Sequence, residues 1–146
     1  MNTDRIGLVG LGLLGSAIAQ RLLGADYRVL GYDVAPDKRA AFDCPGAAAA
    51  DTLADVAAAC RVVIVAVFDT GQVETVVEAL GGLLGSATRV AICMSTCDPD
   101  RISALASRAG KRGLSLLDYP VSGTSAQVAR GEGLGLAAGE PGQLHR

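Results

Sequence analysis

At 146 residues the chain fits one globular domain with one core and leaves little room for two. Half of it is hydrophobic but only 3% is aromatic, so Ala, Val, Leu and Ile must build the core. Thirteen basic against 15 acidic residues give a net charge of -2 with no basic stripe, which argues against nucleic-acid binding.

The apolar residues alternate between two periods along the chain. Residues 6–9 form a short apolar run, followed by glycines at 10, 12 and 15 and then a stripe of Leu14, Ile18 and Leu22 that stops at Gly24. This reads as a strand, a tight turn and a helix. Residues 6–19 also mimic a signal peptide ending in Ala17-Ile18-Ala19, but Asp4 beside Arg5 denies it a positive leader and the glycines have their own explanation. No run reaches the length of a membrane helix, so no membrane partner is expected.

A second strand is predicted over 28–32, and a helix after Pro36 exposes Lys38 and Arg39 as a solvated face. Leu53, Val56, Ala57 and Cys60 follow Asp51-Thr52 at helical spacing, and residues 62–67 read as a buried strand. Val73, Val76, Val77 and Leu80 predict the next helix, and Thr70 before them reads equally as its N-cap or as a loop residue beside a bound ligand. A strand over 89–93 leads to Asp98 as N-cap, Pro99 at the first helical position, and Ile102, Leu105, Ala106 and Ala109 before Gly110. Residues 114–117 read as another strand and 134–138 as a short further one. Strands separated by helices five or six times over predict a doubly wound, mainly parallel α/β sheet of the Rossmann type.

Cys44, Cys60, Cys93 and Cys97 form no CxxC pair and read as free thiols of a cytoplasmic protein, and no metal site is expected. The chain ends after a Gly-, Ser- and Ala-rich stretch without a closing helix, and so reads as part of a longer protein.

Gly10-x-Gly12-x-x-Gly15 between strand and helix is the pattern of a pyrophosphate cradle. Gly10 allows the turn, Gly12 admits the phosphates and Gly15 lets the helix pack on the strand, while free N–H groups at the helix start hold the anion. Asp33 ends the second strand, 18 residues beyond Gly15, where its carboxylate suits ribose hydroxyls and repels a 2′-phosphate. NAD is therefore expected, with NADP open if Lys38 or Arg39 turns toward a phosphate.

The stretch Gly7-Leu8-Val9-Gly10-Leu11-Gly12-Leu13-Leu14-Gly15-Ser16, with Tyr32-Asp33, Met94-Ser95-Thr96 before Pro99, and Asp118-Tyr119-Pro120-Val121-Ser122-Gly123, resembles the β-hydroxyacid dehydrogenases. Those enzymes are typified by 3-hydroxyisobutyrate dehydrogenase and, more distantly, 6-phosphogluconate dehydrogenase. The resemblance runs from about residue 5 to residue 139. It implies a dinucleotide-binding domain over 1–146, with an all-helical catalytic and dimerising domain beyond residue 146 through which a homo-oligomer assembles. It implies cofactor contacts from Gly10, Leu11, Gly12, Leu13, Leu14, Gly15, Asp33, Phe68, Asp69 and Thr96, and a small hydroxy-acid substrate held at Ser122, Gly123 and Thr124. Physically, a Gly-Ser loop after a parallel strand suits an oxyanion, although an ordinary connecting loop has the same composition.

Two departures stand out. The family usually reads Ser-Gly-Gly where this chain has Gly123 followed by Thr124, so the substrate is expected to be larger, smaller or differently anchored than the family names imply. Leu13-Leu14 replaces a usual methionine with similar bulk. Hydride transfer from an alcohol also needs a proton acceptor. Lys38, Lys111 and His145 stand at the wrong places for that role, and the family lysine falls beyond residue 146, so this chain alone is expected to be inactive. Two alternatives remain: an imine or other carbonyl reductase of the same superfamily, and a free-standing NAD-binding module without catalysis.

Overall fold

The computed structural model describes residues 4–83, 85–139 and 142. Six strands, β1 (Arg5–Val9), β2 (Arg28–Tyr32), β3 (Ala47–Ala49), β4 (Val62–Val65), β5 (Val90–Cys93) and β6 (Ser115–Asp118), form one parallel sheet in the order β3-β2-β1-β4-β5-β6. Parallel neighbours require crossovers. These are supplied by α1 (Leu13–Gly24), α2 (Pro36–Ala40), α3 (Leu53–Ala59), α4 (Thr70–Gly82) and α5 (Pro99–Gly110). The doubly wound sheet expected from the alternating periods is therefore present.

Strand alternation decides which residues meet which helices. From β1, β4 and β5, Val9, Val63, Val65, Ala91 and Cys93 pack against α3, α4 and α5. Leu8, Ile64 and Ile92 point to the other face, against Ala17, Ile18 and Ala19 of α1. Val56, Val63, Val65 and Val73 are fully buried, each contributing about 1.5–3 kcal/mol of transfer free energy. Aliphatic side chains thus fill the buried part of two thin layers, with the rings of Tyr32 and Phe42 packed only at their margins.

Three elements depart from the sequence pattern. The edge strand β3 consists of three alanines, set by a turn in which the Ala47 N–H donates to the Cys44 carbonyl. A sixth helix, α6 (Ser125–Arg130), packs beside α1 through Val128. The apolar run over 134–138 becomes only β8 (Leu134–Gly135), paired antiparallel with β7 (Val121–Ser122), while Ala138 bridges back to Asp118. Among the described residues no helix is long and apolar enough to cross a membrane.

Candidate dinucleotide site

Strand order reverses at β1, with β2 on one side and β4 on the other, and a ligand crevice opens at such a reversal beyond the strands' carboxyl ends. A cleft of about 820 Å³ lies there. Its floor is the turn from β1 into α1. Gly10 has φ +97, and a Cβ on it would strike the Ala66 carbonyl oxygen. A Cβ on Gly15 would strike the Gly10 carbonyl, so α1 sits directly on the turn because both residues are glycine. Gly12 is the N-cap of α1, no side chain caps that end, and no acidic residue occupies the first turn. The first N–H groups of α1 are thus left for an anion, with Leu13 and Leu14 on the rim of the cleft.

Asp33 is only 9% exposed and holds the turn in place. Its Oδ2 accepts the Leu11 N–H at 2.8 Å and its Oδ1 accepts the Ala35 N–H at 2.9 Å. Lys38 does not lie on a purely solvated face: its Nζ is 3.9 Å from Asp33 Oδ2 and it lines the cleft. Arg39 departs from that expectation as well. Its Nη1 donates to the Asp33 carbonyl at 2.7 Å, and its guanidinium lies 5.8 Å from the Tyr32 ring centroid. Carbonyl acceptors left at the end of β2 attract it.

Phe68, Asp69 and Thr96 line the opposite wall. Asp69, rather than Thr70, is the N-cap of α4, accepting the Gln72 N–H at 2.8 Å. Thr70 is the first helical residue, and its Oγ1 accepts the Asp98 N–H at 3.0 Å, which ties the starts of α4 and α5 together. Gln72 and Thr75, which the sequence pattern did not single out, join Val76, read there only as part of the apolar stripe, on one face of α4 toward the cleft. Their spacing of three and four was the available signal. Gln72 Oε1 also accepts the Phe68 N–H at 2.9 Å, and Ser95 Oγ donates to the Val67 carbonyl at 2.6 Å, so both loops of this wall are fixed.

The segment after β6 reaches the cleft through Val121, while Ser122, Gly123 and Thr124 are exposed just beyond it. Gly123 has φ +124. Thr124 forms a capping box for α6: its Oγ1 accepts the Gln127 N–H at 3.2 Å and its own N–H donates to Gln127 Oε1 at 2.8 Å. The departure from Ser-Gly-Gly therefore serves the helix start. Asp118 Oδ1 is buried without a hydrogen-bond partner among the described residues, and burial raises its carboxyl above the usual range. Lys111 is the exposed C-cap of α5, and His145 lies outside the described residues.

A glycine turn feeding an uncapped helix, at the reversal point of a 3-2-1-4-5-6 sheet, is the frame of dinucleotide-binding domains. A family model described as the NAD binding domain of 6-phosphogluconate dehydrogenase matches residues 5–146. The chain belongs to that family. The solved structure of Mycobacterium tuberculosis 3-hydroxyisobutyrate dehydrogenase with L-serine superposes on this NAD-binding domain with a TM-score of 0.89 at 25% identity, covering 99% of this chain and 49% of that one. An uncharacterized oxidoreductase of Mycobacterium tuberculosis is 38% identical over 133 residues, 89% of this chain and 44% of its own length. L-threonate dehydrogenase of Cupriavidus necator is 33% identical over 129 residues, 87% of this chain and 43% of its own length. The NAD-binding domain thus spans less than half the length of the curated relatives it matches. The resemblance to hydroxyacid dehydrogenases read from the sequence is borne out at the level of the family.

Proposed function

We propose that this chain is the dinucleotide-binding part of a dehydrogenase that oxidises a small β-hydroxy acid with NAD. The observation that carries the reading is the uncapped start of α1 on the Gly10 turn, opening into the cleft. A bound nicotinamide supplies the hydride acceptor. The chain's own part is to hold it: Gly10, Gly12 and Gly15 admit the pyrophosphate to the N–H groups of α1, and Leu11 keeps Asp33 in position. Free lone pairs on the Asp33 carboxylate take the adenosine ribose hydroxyls. Phe68, Asp69 and Thr96 flank the nicotinamide end, where Leu13 and Leu14 shield one side of the cleft.

Ser122 and Gly123, with the remaining hydroxyl proton of Thr124, receive the substrate carboxylate at the exposed edge. The proton acceptor comes from a helical segment beyond residue 146, which also builds the oligomer. NADP is the second reading of the cofactor, favoured by Lys38 on the cleft beside Asp33.

Titration with NADH and NADPH tests the proposal. The chain has no tryptophan, so NADH fluorescence is read without indole background. The expected result is saturable NADH binding, weaker NADPH binding, and no turnover of 3-hydroxyisobutyrate, glycerate or threonate by these 146 residues. Absence of binding to either nucleotide overturns it. A cyclic imine assayed with the longer protein separates the hydroxy-acid reading from imine reduction.

A further inference from the structure

β5 ends on Cys93, and Cys97 stands directly before the Asp98 cap of α5, with Met94, Ser95 and Thr96 between them. The two Sγ atoms lie 3.6 Å apart. Cys93 is fully buried and Cys97 is partly exposed. A disulfide needs about 2.05 Å between sulfurs, so the two must approach further, by side-chain rotation together with a shift of the short loop that joins them. We propose that Cys93 and Cys97 form a reversible intraloop disulfide under hydroperoxide, and that this bond reshapes the cleft.

The partly exposed Cys97 meets the oxidant first. Its thiolate sulfur attacks one peroxide oxygen, the O–O bond breaks, and Cys97 becomes a sulfenic acid while water, or an alcohol from an organic hydroperoxide, departs. The Cys93 sulfur then attacks the Cys97 sulfur, the S–O bond breaks, and the hydroxide leaves as water with the Cys93 proton. Two thiols have lost two electrons and two protons, and the peroxide has taken them up. The Cys93 thiol, pushed up to about 12 by burial and then by the neighbouring Cys97, is the poorer first nucleophile; it enters the second step because its sulfur already lies beside that of Cys97, giving up its proton as it attacks.

The loop between the sulfurs is part of the site. Met94, Ser95 and Thr96 all line the cleft, Ser95 Oγ is bonded to the Val67 carbonyl, and the Asp98 N–H is bonded to Thr70 Oγ1. Drawing Cys97 toward the fully buried Cys93 shifts the chain between these two hydrogen-bonded points. The effect on nucleotide binding rests on the function proposed above; the chemistry of the pair does not.

Trypsin leaves both cysteines in one peptide, residues 90–101. In a Cys44→Ser background, treatment of the 146-residue chain with a slight excess of hydrogen peroxide is expected to remove two hydrogens from that peptide. Dithiothreitol restores them, and Cys97→Ser or Cys93→Ser abolishes the change. NADH binding is expected to weaken by about fivefold on oxidation and to recover on reduction. A peptide that keeps both thiols, or that gains oxygen on Cys97 without losing two hydrogens, overturns the disulfide. A disulfide that forms while NADH binding stays constant overturns the coupling. Reduced protein that binds no NADH defeats the proposed function, and the peptide mass still judges the disulfide.

Discussion

The Asp33 carboxylate accepts N–H groups from Leu11 and Ala35 and so shapes the glycine turn. The proposed function gives it a second task, taking ribose hydroxyls on its remaining lone pairs, and the two tasks pull in different experimental directions. Asp33→Ser is expected to weaken NADH by about 1–3 kcal/mol, the worth of a charge-assisted bond. If the carboxylate also repels a 2′-phosphate, NADPH affinity holds or rises, because Lys38 loses its nearby anion. Equal losses for both nucleotides in paired titrations would mean that Asp33 acts only by holding the turn. The partly buried carboxylate of Asp118 works against the fold. Asp118 has one oxygen without a partner, and its folded carboxyl is raised by burial, so the folded state binds the proton more tightly than the unfolded chain. Its ionisation therefore costs stability, beginning as pH rises through the ordinary carboxylate range near about 4 and reaching full effect above the raised folded value. Asp118→Asn is expected to raise Tm at pH 7 and to leave it unchanged near pH 3. A variant no more stable than the parent at neutral pH would refute this.

Element boundaries show where local sequence rules end. Asp98 before Pro99 announced the start of α5, and the structure bears it out: Asp98 Oδ1 accepts the N–H groups of Asp100 and Arg101 at 3.0 and 2.9 Å. Asp98→Ala is expected to cost about 1 kcal/mol in denaturant unfolding, the usual value of an N-cap. A loss below a few tenths would show that the Thr70 hydroxyl, which accepts the Asp98 N–H, holds this end alone. Thr70 itself was misleading because its partner is 28 residues away, and no local rule sees a tertiary acceptor. Three alanines carry no strand preference, so β3 becomes visible only once β2 offers an edge to pair with. At Thr124, a capping box with Gln127 stood in the sequence, but the preceding Ser-Gly drew attention to anion binding instead. The glycine turn was legible because Gly15 is demanded by its contact with the Gly10 carbonyl five residues away and Gly10 by its positive φ, although the Ala66 carbonyl that also excludes a side chain at Gly10 is not local. The α4 wall of Gln72, Thr75 and Val76 was not, since its meaning depends on which way the helix turns over the sheet.

At the scale of the whole molecule, several large apolar side chains among the described residues remain outside the buried layers. Leu134 and Leu136 are 64% and 61% exposed, and Phe68, Leu13 and Val34 are more exposed still. The first two lie two residues apart, Leu134 in β8 and Leu136 just after it, and neither lines the cleft that the other three border. Covering apolar surface is worth about 25 cal/mol per Å², so a patch of a few hundred Å² carries several kcal/mol toward any association. The 146-residue chain is therefore expected to bind a hydrophobic dye and to scatter light at high concentration. The double variant Leu134→Ser, Leu136→Ser should reduce both signals while NADH affinity stays unchanged, because neither side chain lines the cleft. If the dye signal survives the double variant but falls on addition of NADH, the adhesive surface is the rim of Phe68, Leu13 and Val34, and the nucleotide itself covers it.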